Sequence, residues 1–229
     1  MSEIYFVLKK LKGTQVFNIL CEIEKSYKNL EKEQKKWYKK SQFFCPKACG
    51  KCCHNFEPDI LESEALYMAA WLIQNQYQNA LKISNNIFPY KNASTCPFFD
   101  FKNPHHCSIY GGRAYICRLF GASCSSSKTQ EKVWKPCKFI STEKLKEYNP
   151  NLEHKEYKET EAKQILKELP PLMSEKMAQA LSFTPDNEKT ILIHNILPET
   201  ISKLLWLIEL KNKNKFFPFK WIFEKLKLI

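Results

Sequence analysis

Four cysteines and a histidine crowd into ten residues at Cys45-Pro46-Lys47-Ala48-Cys49-Gly50-Lys51-Cys52-Cys53-His54. Thiols this close together form disulfides, fill core volume or bind metal. Disulfides persist in oxidising compartments. The opening Met1-Ser2-Glu3-Ile4-Tyr5-Phe6-Val7-Leu8 has an early acid and too short an apolar run for a signal sequence, so a reducing cytoplasm is predicted. As core residues, four thiols would make one crowded patch with little apolar volume. Metal fits better, because ligands three and four apart on a helical turn sit about 5–6 Å apart at Cβ. That is compatible with sulfurs converging on a tetrahedral ion at roughly 2.3 Å each. Gly50 gives the backbone access to positive φ where it must turn around the sulfurs. Adjacent Cys52 and Cys53 are expected to point apart, as neighbours do on a helix or strand. The pair therefore predicts two metals or a multinuclear cluster.

A second cysteine group runs from Cys96-Pro97-Phe98-Phe99-Asp100 through Cys107-Ser108-Ile109-Tyr110-Gly111-Gly112-Arg113 and Cys117-Arg118-Leu119-Phe120-Gly121 to Cys124 and Val133-Trp134-Lys135-Pro136-Cys137. Asn103-Pro104-His105-His106 reads as a turn presenting Cys107, and Gly111-Gly112 as a second turn. So loop-rich a region needs a staple, which bound metal supplies. His54, His105 and His106 stand beside the thiols as additional nitrogen ligands, although the cysteines are numerous enough to serve without them. No phosphate-cradling glycine loop and no Ser-His-Asp pattern is present; Ser125-Ser126-Ser127 reads as a polar loop.

The elements that must position these residues read as helices. Phe17, Leu20, Ile23, Tyr27, Leu30 and Trp37 recur at helical intervals, predicting a long amphipathic helix over 15–41 that carries Cys21 as a buried thiol. Asp59-Ile60-Leu61-Glu62 has capping-box spacing and opens a second helix through Ile73. Residues 79–95 read as loop or short extended pieces, and helices return over 155–168, 172–182 and 198–211. Ile191-Leu192-Ile193 suits either a short strand or a buried helical turn. The tail 211–229 alternates lysines with Phe216, Phe217, Phe219, Trp221, Ile222 and Phe223, as an interfacial membrane segment or a docking C-terminal helix would. No stretch reaches the roughly 20 apolar residues of a membrane span. The organisation expected is an N-terminal amphipathic helix (1–42), a cysteine-cluster metal-binding domain (43–141) and a C-terminal helical region (142–229). The fold class is mainly α, with helices clamping an irregular, loop-rich metal-binding cysteine cluster.

The net charge of +12 raises nucleic acid or an anionic membrane as partners. Yet only two of the 36 basic residues are arginines, so a general lysine bias accounts for the charge and nucleic acid is disfavoured. Those two, Arg113 and Arg118, flank Cys117, and four of the five glycines also lie in the cysteine region. A planar five-donor guanidinium there suits hydrogen bonding to thiolates, or an ordinary salt bridge that shapes the loop.

Taken together, the motifs resemble the YkgJ-type family of cysteine-cluster proteins, described as zinc- or iron-chelating domains. The likeness rests on Cys45-x3-Cys49-x2-Cys52-Cys53, Cys96-Pro97-Phe98 with Asp100, Cys107-Ser108-Ile109-Tyr110 with Arg113, Cys117-Arg118-x-Phe120, and Trp134 before Cys137. It covers about residues 43–140. The resemblance implies metal ligands at Cys45, Cys49, Cys52, Cys53, Cys96, Cys107, Cys117 and Cys137, with Cys124 an extra and Cys21 outside. Where the family places Glu and Pro around the arginine, this chain has Gly112 and Ala114. Iron-sulfur clusters and zinc both accept such thiolate sets, so the cofactor expected is an iron-sulfur cluster or zinc. Three function classes follow: a structural or redox-sensing metal-binding protein, a cluster-dependent enzyme related to flagellin lysine N-methylases, and a zinc-stapled module binding nucleic acid or a membrane surface. No catalytic residue and no protein partner is assigned.

Overall fold

The computed structural model describes residues 2–45, 49–90 and 95–213. These residues are mainly helical, as the periodicity predicts. The helices are α1 (Tyr5–Leu11), α2 (Gln15–Ser41), α3 (Glu62–Asn75), α4 (Tyr77–Ser84), α5 (Tyr115–Leu119), α6 (Thr142–Tyr148), α7 (Glu159–Leu166), α8 (Met173–Leu181) and α9 (Ile193–Lys213). Five short strands join them: β1 (Asp59–Ile60), β2 (Ser125–Ser126), β3 (Lys132–Trp134), β4 (Tyr157–Lys158) and β5 (Ile191–Leu192). Antiparallel pairing joins β1 to β5, and β2, β3 and β4 form a second sheet in that order. No helix among the described residues is long and apolar enough to cross a membrane. The aromatic tail from 214 onward lies outside the described residues.

Helix α2 is the spine. Thr14 caps its start, accepting a hydrogen bond from the Phe17 N–H at 3.1 Å, and Gln42 ends it in the left-handed conformation (φ 56°). Its apolar stripe divides between two cores. Leu20, Ile23, Tyr27 and Leu30 pack with α1, α3, α4 and α9 in the larger core. Two turns further along, Trp37 enters a smaller core with Phe43, Trp134, Leu145, Tyr157 and Leu166. Each core draws residues from all three sequence stretches.

Several expectations are corrected. Asp59 is not a helix cap: Asp59 and Ile60 pair with Leu192 and Ile191, and α3 begins at Glu62. Only the returning half of such a box forms, two residues on, where the Glu64 carboxylate accepts the Leu61 N–H at 2.8 Å. Residues 77–84 form α4 instead of loop, because Ala80 and Ile83 have an apolar face of α3 and α9 to bury against. Positions 91–94 of that predicted loop lie outside the described residues. Helix α9 starts five residues before Pro198, the Glu57 carboxylate accepting the His194 N–H at 2.8 Å in its first turn. Ile191-Leu192-Ile193 thus serves both readings, two residues as strand and the third as helix. Ser125 and Ser126 form a strand, their backbone recruited by Val133 and Lys132. Helices α1 and α6 are too short to give a period over a sequence window.

Glu64 ties the fold to the cysteine region. Fully enclosed, it accepts the Leu61 N–H at the start of α3 and, at 2.6 Å, the Tyr115 N–H at the start of α5. Burial lifts this carboxyl to about 7, while the Leu61 and Tyr115 N–H bonds and Arg118 oppose the shift. A carboxyl raised above its unfolded value holds its proton in the native state while the unfolded chain has already released it. Stability contributed by this group therefore falls as pH rises from about 4.5 to about 7 and then levels. The size is roughly 3 kcal/mol. A Glu64→Gln protein, which keeps an acceptor oxygen without the charge, is expected to lose this slope, as melting temperatures at pH 5 and pH 7.5 would show.

Candidate metal centre

Each cysteine reaches its place through a local structural cause. After α2 ends, Phe43 packs edge-on to Trp134 (5.2 Å, 88°) and to Tyr148 (5.2 Å, 89°), anchoring the segment that leads to Cys45. Trp134 is itself fully buried at the end of β3, three residues before Cys137. One aromatic contact thus holds the roots of Cys45 and Cys137 together. Gly50 adopts φ 54° and precedes a single 3-10 turn, Lys51–Cys53. This is the positive φ read from the sequence.

Cys96 and Cys107 are joined by a miniature hairpin. Phe99 and Cys107 form an antiparallel bridge, Ser108 N–H donates to the Phe98 carbonyl at 2.9 Å, and the connecting turn is closed by side chains. Asp100 Oδ1 accepts the Lys102 N–H and Asn103 Oδ1 accepts the His105 N–H, each at 2.9 Å. The Asn103-Pro104-His105-His106 turn presents Cys107 as expected. Gly111 and Gly112 press against Trp71, whose Nε1–H donates to Glu3 at 2.9 Å; a Cβ on Gly111 would stand 2.6 Å from that nitrogen. From that turn the chain enters α5, which carries Cys117.

All eight cysteines, Cys45, Cys49, Cys52, Cys53, Cys96, Cys107, Cys117 and Cys137, line one cavity of about 550 Å³. Helix α2 backs it with Glu31, Gln34 and Tyr38, and both arginines reach it. Cys96, Cys107 and Cys117 rest on the larger core, whereas Cys137 rests on the smaller one. Gln34 stands where the cores meet, donating from Nε2 to the Arg118 carbonyl at 2.8 Å and the Ala122 carbonyl at 3.3 Å. Among the described residues, no three His, Cys, Asp or Glu side chains are close enough to form a ready-made ion site.

The electrostatics sorts the thiols into two groups that are linked through Cys52 and Cys107. Burial pushes Cys45 up to about 11, reinforced by Cys49, Cys137 and Cys52 and opposed by Arg113. Cys137 is raised by burial too, against the Phe139 backbone bond, with Cys52 and Cys49 adding repulsion. In the other group, burial lifts Cys96 to about 12, against the Phe98 backbone bond, with Cys107 adding repulsion. Cys117 is driven well up by burial and then by Cys96 and Cys107. Cys52 is raised first by its hydrogen bond with Cys53 and then by burial. Their Sγ atoms lie 3.8 Å apart, which corrects the expectation that the adjacent thiols diverge. Partly buried thiols that repel one another's thiolates are a donor set suited to a cation, which stabilises the deprotonated forms.

The remaining candidates separate cleanly. His105 and His106 line the cavity, His105 stacked on Tyr110 at 4.0 Å and His106 packed over Gly50. His54 packs against Phe99 and Phe101. Cys124 is buried in the smaller core, its thiol donating to the Pro170 carbonyl at 3.2 Å, and it borders a different cavity. Cys21 is half-buried on α2, short of the full burial expected. Sequence reading did not find the contribution of α2: Glu31, Gln34 and Tyr38 are spaced as one helix face, but nothing local says what that face meets.

Residues 44–143 match the model of a family described as "Putative zinc- or iron-chelating domain". This stretch is similar to that family's domain. All eight cavity thiols fall within it, as do both arginines. Searches of curated proteins and of solved structures return no significant match. The chelating domain accordingly supports metal binding in general, and Cys21 and the helices α1 and α7–α9 lie outside it.

Proposed function

We propose that this chain binds a polynuclear iron-sulfur centre through the eight cavity thiols and serves as a redox-responsive protein of a reducing, cytoplasmic compartment. The observation that carries this reading is the single cavity that collects all eight cysteines from separate segments. At about 550 Å³ it has the size of cofactor sites, whereas four sulfurs at about 2.3 Å enclose a lone ion. Cys45, Cys49, Cys52 and Cys137 would hold one part of the centre and Cys96, Cys107 and Cys117 the other, with Cys53 between them. When bound, such a centre supplies one-electron chemistry at a potential set by charge, hydrogen bonds and exposure. The protein's part is to supply thiolates, exclude water with Phe98, Phe99 and Phe120, and balance charge with arginine.

Zinc is the second reading, favoured by the Cys52–Cys53 separation of 3.8 Å. Two ligands on one tetrahedral ion with bonds of about 2.3 Å stand about 3.8 Å apart. Anaerobic purification with metal analysis and a visible spectrum decides between them. Several irons per chain and a broad visible band are expected. Colourless protein with about two zincs, as two four-thiolate sites would hold, establishes the second reading, and folded metal-free protein overturns both.

A further inference from the structure

The two arginines of the cavity have different employment. Arg118 is committed to the fold. Its Nε–H donates to the Arg113 carbonyl at 2.9 Å, Nη1 pairs with Glu31 at 2.7 Å, Nη2 donates to the Gly111 carbonyl, and its guanidinium carbon stands 4.0 Å over the Tyr27 ring. These bonds brace the turn from Gly111 to Arg113 against α2.

Arg113 has no such set. Its guanidinium lies 3.5 Å over the Tyr110 ring, and His105 stacks on that same ring at 4.0 Å, so the plane of the side chain is held by stacking. Its Nε–H is buried and has no hydrogen-bond partner among the described residues. A buried donor left unpaired is destabilising, and such a group persists where it has an acceptor in the working molecule. Arg113 also faces both thiol groups, its charge opposing the neutral form of Cys45 and Cys52 on one side and of Cys107 and Cys117 on the other. A committed arginine fixes the loop, and the loop aims an uncommitted one into the cavity.

We infer that Arg113 is a positioning and tuning residue whose Nε–H donates to a sulfur acceptor of the bound centre, holding it between the two thiol groups and favouring its reduced form. This rests on the iron-sulfur reading. Donors to sulfur and positive charge stabilise the extra electron, so their loss lowers the reduction potential. A lysine in the same place keeps the charge but has neither the planar stack on Tyr110 nor an Nε–H.

The test is a dithionite titration of iron-loaded wild type, Arg113→Gln and Arg113→Lys, followed by the visible band. Both variants are expected to retain iron and to show, at a fixed potential, a reduced-to-oxidised ratio at least tenfold lower, equivalent to 59 mV for a one-electron couple. Wild-type protein labelled with 15N-arginine provides a readout without substitution: the reduced centre is expected to show a 15N hyperfine coupling, because one guanidinium nitrogen approaches it. Unchanged potentials in iron-loaded variants, a Lys variant that recovers the full wild-type potential, or no 15N coupling in wild type each overturn the role of Arg113 alone. Wild type without iron overturns the iron-sulfur reading and this inference with it.

Discussion

A Cys117→Ser protein is expected to lose more than half of its bound metal and to melt about 10 °C below wild type, whereas Cys124→Ser keeps its metal. The pair is informative because both thiols are raised by burial, Cys124 to about 11, yet only Cys117 lines the thiol cavity. Cys117 sits on α5, whose start is fixed by the Glu64 bond to the Tyr115 N–H, so its sulfur has little freedom to be replaced by a neighbour. A metal that binds the native state a thousandfold below its free concentration stabilises it by about 4 kcal/mol. At roughly 2–4 °C per kcal/mol for a chain of this size, losing the metal lowers the melting temperature by about 8–16 °C. Serine at 124 can still donate to the Pro170 carbonyl, so its cost is about 1 kcal/mol or a few degrees. Equal metal in the two variants would remove Cys117 from the ligand set. Metal lost from both would mean that folding, and not ligation, was being measured.

The second large effect is expected at Gly50. In a Gly50→Ala protein the new methyl would stand 2.5 Å from Cγ of the His106 ring, on a backbone at φ 54° that disfavours any side chain. The ring has little room to retreat: His106 lines the cavity, packs against Phe99 at 5.9 Å, and has a left-handed backbone of its own (φ 50°). Gly13 separates the two costs, since it has φ 82° but nothing near the position of its Cβ. Gly13→Ala is therefore expected to cost only the conformational part, about 1 kcal/mol, with full metal content. Gly50→Ala adds overpacking of about 1–3 kcal/mol and pushes the 49–53 segment away from the 96–107 hairpin. Metal analysis beside thermal melting reads both parts. A Gly50→Ala protein with wild-type metal content would show that the close approach of these segments is not needed for binding.

Much of the candidate site was legible in the sequence because it is written in scarce residue types. Cysteines at short spacing, two arginines in a chain that otherwise uses lysine, and glycines clustered beside them mark a local chemistry that no distant contact is needed to see. Helix α2 was legible over its full length for a related reason: seven turns of apolar periodicity accumulate a signal that one local exception cannot mask. Short elements failed where their cause is remote. Helix α4 exists because α3 and α9 offer a face to Ala80 and Ile83, and β1 because Ile191 and Leu192 arrive from far along the chain.

The sequence by itself determined the candidate ligand types, their two groups along the chain, the turns that carry them and the mainly helical scaffold, since each follows from spacing and side-chain chemistry within a few residues. Only the tertiary structure decided that both groups face one cavity, that Cys124 does not, and that α2 forms its wall. It also decided which arginine is committed and which is left with a buried donor: Arg113 and Arg118 are chemically identical, and the difference lies in Glu31, Tyr27 and the Gly111 carbonyl, partners brought together only by packing.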